Sequence, residues 1–549
     1  LFVPRIGYVS RPSARGRVAG TLSEFKQLKE LNTMSAASNA IADDARFSDT
    51  RFFGHPVGLS TLFFTELWER FSYYGMRALL VLYMTATKEN GGLGYPNAKA
   101  ALVYGTYTSA VYLLSMPGGW AADNFLGGKL AVLIGGIIIA LGHFTLAIES
   151  ETFFYSGLVL IVLGTGLLKP NISAMVGTLY KPGDVRRDAG FSIFYMGINL
   201  GAFIAPLCCG FLAQSATWRG FLAGRGLNPN SSWHWGFAAA GVGMSLGLVQ
   251  YFIGRRHLAE VGVKPKRKDG STASTAVGFF SYLGVALTVF AVVAGLQKGY
   301  GFVGGYGKFA AIGYFVVVLG GILALTWALF LKTLPGDELK RMIAIIFFFL
   351  ASIGFWALFE QAGSSLNLFA DRLTNCTVFG WSFPSSYFQS VNSMFIILLA
   401  PIFSFIWIKW GSSQPSSPAK FSVGLLLVGI GFLLGTAALG LSGGAKVGPS
   451  WLVGIYFLHT VAELCLSPVG LSTMTKLAPE RLGGLVMGIW FLGPAVGNYV
   501  GGLVAGHFDE SKPESVSTLF TQVALTGIAV GVVAAVLTPF IKKLMGDVK

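Results

Sequence analysis

Glu66-Leu67-Trp68-Glu69-Arg70-Phe71-Ser72-Tyr73-Tyr74-Gly75-Met76-Arg77 places four charged side chains inside a segment that is otherwise apolar or small from Val57 to Thr87. A segment of that length crosses a bilayer with tilt, since a spanning helix needs about 20 residues. A charge at bilayer depth costs about 2.5–3.5 kcal/mol on insertion scales, so it persists only where it faces protein or water. Glu66, Glu69, Arg70, Tyr73, Tyr74 and Arg77 fall at i, i+3, i+4, i+7, i+8 and i+11, one stripe of a helix. The stripe predicts a polar path through the membrane. The alternative is a structural set of ion pairs closing a helix interface.

Composition agrees with a membrane protein. The chain is 53% hydrophobic and 12% charged with 73 glycines, which excludes an ordinary soluble globule. Glycine at that level suits close helix–helix approach in a bilayer. A net charge of +15 points to nucleic acid in a soluble protein, but here basic residues accumulating in cytoplasmic loops explain it. The four cysteines show no metal-ligand or disulfide spacing. Residues 1–52 read as a disordered cytoplasmic extension, and 1–33 as foreign to a natural start near Met34.

Hydropathy marks fourteen apolar segments, the first at 57–87, the seventh and eighth at 275–296 and 306–331, and the last at 516–541. An even number puts both termini on one side. Lysine and arginine concentrate in the loops on the N-terminal side, which makes that side cytoplasmic. The densest basic stretch, Arg255 to Lys268, separates the first six spans from the rest. The expected domains are therefore a six-helix bundle at 53–260, a basic linker with two additional helices at 261–335, and a second six-helix bundle at 336–549.

Glu66-x-x-Glu69-Arg70-Phe71 with Tyr73-Tyr74-Gly75 resembles the first-helix motif of the proton-coupled oligopeptide transporters, a branch of the major facilitator superfamily. Gly164-x-Gly166-Leu167-Leu168-Lys169-Pro170-Asn171 resembles the fourth-helix motif, and Phe194-Tyr195-Met196-Gly197-Ile198-Asn199-Leu200-Gly201 the fifth-helix signature. Phe355-Trp356-x-x-Phe359-Glu360-Gln361 and Glu463-Leu464-x-x-Ser467-Pro468-Val469-Gly470 extend the resemblance into the second half. It implies an all-α polytopic membrane protein with the major facilitator fold, two six-helix bundles with two extra helices between them, as in bacterial members. The turn Gly118–Lys129 also resembles the superfamily's cytoplasmic turn, in which an aspartate and a basic residue latch helices.

The intramembrane polar residues fit such a carrier. A peptide presents an ammonium and a carboxylate at a nearly fixed separation. Arg70 and Lys169 suit the carboxylate, the first as a planar fork and the second as a compact charge. Asn199, Asn392 and Glu463 offer acceptors for the ammonium, although a buried asparagine also simply bridges helices. The resemblance gives these positions the same roles, and adds Tyr73, Tyr74, Arg77, Tyr112, Trp356, Ser467 and Trp490 to the cavity. Aromatics at such positions serve equally as packing or interface anchors. Proton carriage is expected at Glu66, Glu69 and Glu360 together with Arg70. Adjacent residues face each other poorly on a helix, so Glu69 and Arg70 are each expected to reach Lys169. The resemblance pairs Arg77 with Glu360 and Lys169 with Glu463 as an outer gate between the bundles.

The implied activity is proton-driven symport of di- and tripeptides into the cytoplasm by alternating access. A carrier of nitrate or other small organic anions on the same fold is the alternative. An enzyme is not expected, because the six histidines are scattered and no nucleophile elbow occurs. No cofactor beyond protons is implied, and no nucleic-acid partner. The expected setting is a bacterial inner membrane, with both termini cytoplasmic and a monomer sufficient for function.

Overall fold

The structure, a computed structural model, describes residues 49–181, 183–266, 270–272, 274–304, 334–479 and 482–546. Most of the expected N-terminal extension and the expected span at 306–331 lie outside the described residues. Residues 49–57 belong to a unit of their own, in which Asp49 pairs with Arg51 at 2.9 Å and accepts the Val57 N–H at 2.9 Å. The Arg51 hydrogen bond holds the Asp49 carboxyl down to about 2.

The body is helical. α1 (Gly58–Thr85) leads to α2 (Asn97–Leu113), which runs into α3 (Ser115–Ala121) across Leu114. α4 (Gly128–Leu146), α5 (Glu151–Gly177), α6 (Arg186–Gln214), the short α7 (Ala216–Gly224) and α8 (Ser232–Gly254) complete the first bundle. α9 (Thr275–Gly304) follows the basic linker. The second bundle comprises α10 (Gly336–Phe359), α11 (Ser365–Arg372), α12 (Gln389–Trp410), α13 (Ser417–Leu441), α14 (Pro449–Leu477), α15 (Gly483–Ala505) and α16 (Pro513–Met545). Among the described residues, eleven helical stretches are long and apolar enough to cross a membrane. α1 is not among them because of the charges in its middle, and α2 because it ends at Leu113 after 17 residues. The chain is a polytopic all-α membrane protein.

Antiparallel threading gives the body two faces. One carries Thr85, Asn97, Gln214, Arg372 and Gln389, and is called the Thr85 face below; the opposite one carries Gly58. α1 packs on α6 and α8, and α4 on α5 and α8, while in the second bundle α13 packs on α14 and α16, and α10 on α15 and α16. The bundles meet along α2 with α15 and along α6 with α12. α9 lies against α3 and the 122–126 turn, and its Tyr282 hydroxyl donates to the Leu163 carbonyl at 2.7 Å.

Polar links between the bundles gather toward the Thr85 face. Asn97 donates to the Phe508 carbonyl at 3.0 Å and to Glu510 at 2.6 Å, and Asn367 donates to the Ala78 carbonyl at 2.9 Å. Gln214 donates to Ser385 at 3.0 Å and accepts from the Ser386 N–H at 3.1 Å, while Ser385 donates to Asp371 at 2.7 Å. The α2–α15 crossing depends on glycine. A Cβ on Gly502 would lie 2.7 Å from the Ala101 carbonyl oxygen and 2.8 Å from Gly105 Cα. Gly502→Ala should therefore force the bundles apart at this crossing. The expected cost is about 1–3 kcal/mol, seen as a lower Tm of the purified protein, and an unchanged Tm would show that the crossing yields freely.

The latch expected in the Gly118–Lys129 turn takes another form. Asp123 is exposed and makes no ion pair among the described residues. Instead the Lys129 ammonium donates to the Ala259 carbonyl, and the Lys129 N–H donates to the Gly262 carbonyl at 2.8 Å. Gly127, at φ +73°, brings this turn against the Val263 backbone, so a carbonyl is within reach of Lys129.

On the Thr85 face, β1 (Thr377–Val378) and β2 (Trp381–Ser382) form a hairpin with Phe379 and Gly380 at φ +51° and +81°. Both central residues at positive φ are what a two-residue hairpin turn demands. Burial, followed by the charge of Asp371, pushes the nearby Cys376 thiol up to about 11. Since the thiolate is the reactive species, alkylation near neutral pH should run about a hundredfold slower than at an unperturbed thiol. Mass spectrometry of maleimide-treated protein across pH checks this, and rapid labelling at pH 7 would contradict the burial.

Candidate functional site

The register of α1 turns Glu66, Glu69, Arg70, Tyr73 and Arg77 toward the protein interior, where all five are buried, with Tyr74 half-buried beside them. Arg70 Nε lies 3.1 Å from Glu66 Oε1 and in direct contact with Glu69 Oε2. The expectation that Glu69 and Arg70 would each turn to Lys169 is thus corrected. The arginine stem is long enough to fold back over its own helix, so the guanidinium joins both carboxylates. These are ion pairs without aligned hydrogen bonds: among the described residues, both Glu69 oxygens, Glu66 Oε2, and Arg70 Nε and Nη2 are buried with no aligned partner. The cluster keeps capacity for a proton or another charged group. Tyr73 lies 5.3 Å below the guanidinium and stacks on Tyr107.

Seven residues beyond Arg70 the helix offers a second cation. Arg77 Nη2 donates to Glu360 Oε2 in a buried ion pair between the bundles. Its Nε donates to the Tyr104 hydroxyl at 2.6 Å, and its guanidinium also lies 5.6 Å from the Tyr74 ring. A charge-assisted bond with so little water around it is among the stronger polar contacts a protein makes. Glu360 follows the end of α10, where Glu360–Gly363 tightens into a 3₁₀ turn.

Lys169 is carried by the proline-kinked part of α5. Pro170 leaves the Gly166 carbonyl without its helical donor, and Gly118 packs directly on it, where any side chain would collide. Asn171 patches the same region by donating to the Leu167 carbonyl at 2.7 Å. The Lys169 ammonium sits 3.8 Å from the Tyr112 ring centroid, a cation–π contact. It forms no ion pair with Glu463, so the Lys169–Glu463 gate pair is not made in this structure. Glu463 instead accepts from Asn392 at 3.1 Å, and Asn392 also donates to Thr460 at 3.0 Å. Both charges lie nearer the middle of their helices than Arg77 and Glu360 do, away from the links that close the Thr85 face.

The remaining expected residues divide. Asn199 is buried on α6 and donates to the Tyr195 carbonyl of its own helix at 3.0 Å. Among the described residues, the half-buried Trp356 indole N–H and the Ser467 hydroxyl have no hydrogen-bond partner. Trp490 is buried against Gly470 and the Phe421 ring within the second bundle. Two residues of the site were not singled out from sequence, Tyr104 and Tyr107. Their spacing with Thr108 and Tyr112 along α2 is helical and would have marked them. Among the described residues no three His, Cys, Asp or Glu side chains converge as a metal requires.

The sequence profile of the POT family matches residues 129–521. The chain belongs to the POT family. A peptide transporter of Yersinia enterocolitica is 40% identical over 510 residues, covering 90% of this chain and 96% of the relative. A di-/tripeptide transporter of Lactococcus lactis subsp. cremoris is 38% identical over 518 residues, covering 91% and 99%. Among solved structures, a POT peptide transporter in complex with alafosfalin superposes with a TM-score of 0.77 at 39% identity, covering 92% of this chain and 98% of that one. A POT family transporter in complex with 5-aminolevulinic acid gives 0.75 at 34% identity, covering 90% and 99%. The POT fold is of the major facilitator type, and the crossings of α2 with α15 and α6 with α12 are where its two bundles join in this chain.

Proposed function

We propose that this POT-family protein carries di- and tripeptides into the cytoplasm together with protons by alternating access. The observation that carries the reading is the buried Arg77–Glu360 pair between the bundles, with the Glu66–Glu69–Arg70 cluster on the same helix stripe. A carboxylate that holds the bundles together only while ionised ties their separation to a proton. Arg70 and Lys169 offer cations for the peptide carboxylate, and Asn199, Asn392 and Glu463 offer acceptors for its ammonium. The basic residues Lys181, Arg186, Arg255 and Lys264 cluster at the Gly58 face, which argues that this face is cytoplasmic and the Thr85 face external. On that orientation, the links near Thr85 close the external side. Protons are the coupling ion, no cofactor is needed, and one chain holds the whole path in a bacterial inner membrane. No enzymatic step enters the cycle.

The driving force suffices. One proton moving inward yields about 2.3 kcal/mol per 100 mV and about 1.4 kcal/mol per pH unit. Together these support an accumulation ratio of several hundredfold, by order of magnitude. The test is uptake of labelled dialanine into proteoliposomes under an imposed pH gradient and membrane potential. Accumulation abolished by a protonophore is expected. Uptake indifferent to the protonophore would reject proton coupling, and competition by nitrate in place of dipeptides would favour the anion carrier.

A further inference from the structure

The guanidinium edge formed by Nε and Nη2 normally grips one carboxylate with two parallel bonds. In Arg77 that edge is divided. Nη2 goes to Glu360, whereas Nε goes to the Tyr104 hydroxyl at 2.6 Å. Tyr104 is 1% exposed, and its ring lies 5.7 Å from the guanidinium. Its hydroxyl rests directly on Gly363 of the other bundle, where a Cβ would collide with it. The next residue, Gly105, is held against Gly502, so α2 cannot easily withdraw the phenol.

We infer that Tyr104 is a positioning residue of the gate, which takes half of the Arg77 edge so that Glu360 is held by one bond. This rests on the proposal that the Arg77–Glu360 pair is a proton-operated gate. Division of the edge has two effects. The ion pair is weaker than a two-bond grip and opens more readily on protonation of Glu360. Once it opens, Arg77 keeps a buried acceptor and is not left bare, which otherwise carries a heavy penalty. Gly363 makes room for the phenol and so takes part in the same arrangement.

Other titratable groups surround the pair: Tyr73 and Tyr74 on α1, Tyr107 and Tyr112 on α2, Lys169 on α5, and Tyr456 and Glu463 on α14. None of these forms a hydrogen bond with Arg77 or Glu360 among the described residues. Tyr104 alone shares the edge.

Tyr104→Phe keeps the ring and removes the acceptor, so both donors fall to Glu360. Protonation then competes with a stronger pair. In proteoliposomes, the pH for half-maximal proton-driven uptake of dialanine should fall by about one unit, with maximal rate reduced and KM unchanged. Gly363→Ala displaces the same hydroxyl and should give a similar acid shift, and the double variant should shift no further than either alone. An unshifted or alkaline-shifted profile for Tyr104→Phe, or additive shifts in the double variant, would overturn the inference. Should Tyr104→Phe fail to fold, the Gly363→Ala profile decides alone. Glu360→Gln in the same assay separates the two claims. If it retains concentrative uptake, the gate is not proton-operated and the inference falls with it; if it loses uptake while Tyr104→Phe is unshifted, only the role of Tyr104 falls.

Discussion

Glu360→Gln is expected to abolish accumulation of peptide under a proton gradient while exchange of peptide across the membrane survives at least in part. Glutamine has the bulk of the protonated acid and none of its titration. The Arg77 guanidinium would keep the Tyr104 hydroxyl and meet an amide oxygen where the carboxylate stood. The bundles can then separate without a proton, and the cycle loses its dependence on one. The accumulation ratio should collapse from several hundredfold toward about one. Counterflow in preloaded vesicles needs no net proton movement and provides the control. Glu66 and Glu69 are poorer tests, because each shares Arg70 and its removal upsets a local charge balance. A Glu360→Gln protein that concentrates peptide as the unmodified one does would place the proton elsewhere.

Lys169→Ala should weaken peptide binding about thirtyfold or more, since removing one member of a buried charge pair costs about 2–5 kcal/mol. The ammonium lies over Tyr112 in a cation–π contact, and among the described residues no carboxylate is within ion-pair distance of it, which leaves it available to a substrate carboxylate. The accompanying measurement compares dialanine with its methyl ester as competitors. The ester should compete at least tenfold more weakly against the unmodified protein, and the gap between the two should narrow in Lys169→Ala, where Arg70 is left as the cation for the carboxylate. Equal competition in the unmodified protein would reject the carboxylate clamp. Arg70→Ala should also abolish uptake, but it leaves Glu66 and Glu69 buried without a cation, so its expression will suffer as well.

Much of this was legible in the residues. The period of the α1 stripe declared which charges face inward, because spacing on a helix fixes direction. Pairing was harder to read. Arg70 joins Glu69 against the rule for adjacent positions, because a long flexible side chain has more reach than its Cβ direction implies. Lys169 and Glu463 are unpaired with one another because contact between bundles depends on how far each end has closed, which no local pattern records. Tyr104 escaped notice since a tyrosine in an apolar helix reads as packing until its hydroxyl is seen on a guanidinium. The short α7, nine residues long, is below the length at which hydropathy marks a span, although Ser215 caps it by accepting from the Thr217 N–H at 3.2 Å. Likewise the hairpin at Thr377–Ser382 has only four strand residues, too few for alternation to register.

The interruption of the helical ladder at Glu360–Gly363 has a mechanical meaning. The Ala362 carbonyl, out of the regular ladder, accepts from Gln389 at 2.6 Å and from Tyr456 at 3.4 Å, so the break is supported from α12 and α14. Below it, α10 is anchored in the glycine face of α15, where a Cβ on Gly497 or Gly501 would strike the α10 backbone at 3.0 and 2.9 Å. Above it, α11 is tethered to α1 through Asn367 and the Ala78 carbonyl, one residue past Arg77. Glu360 thus sits at a joint in the chain, braced by α12, α14 and α15 on one side and tied to α1 through α11 on the other. On the proposed cycle, losing the Arg77–Glu360 pair would leave the Asn367–Ala78 bond as a tie between this joint and α1, so a charge change at one carboxylate would be felt where the two bundles are buttoned together.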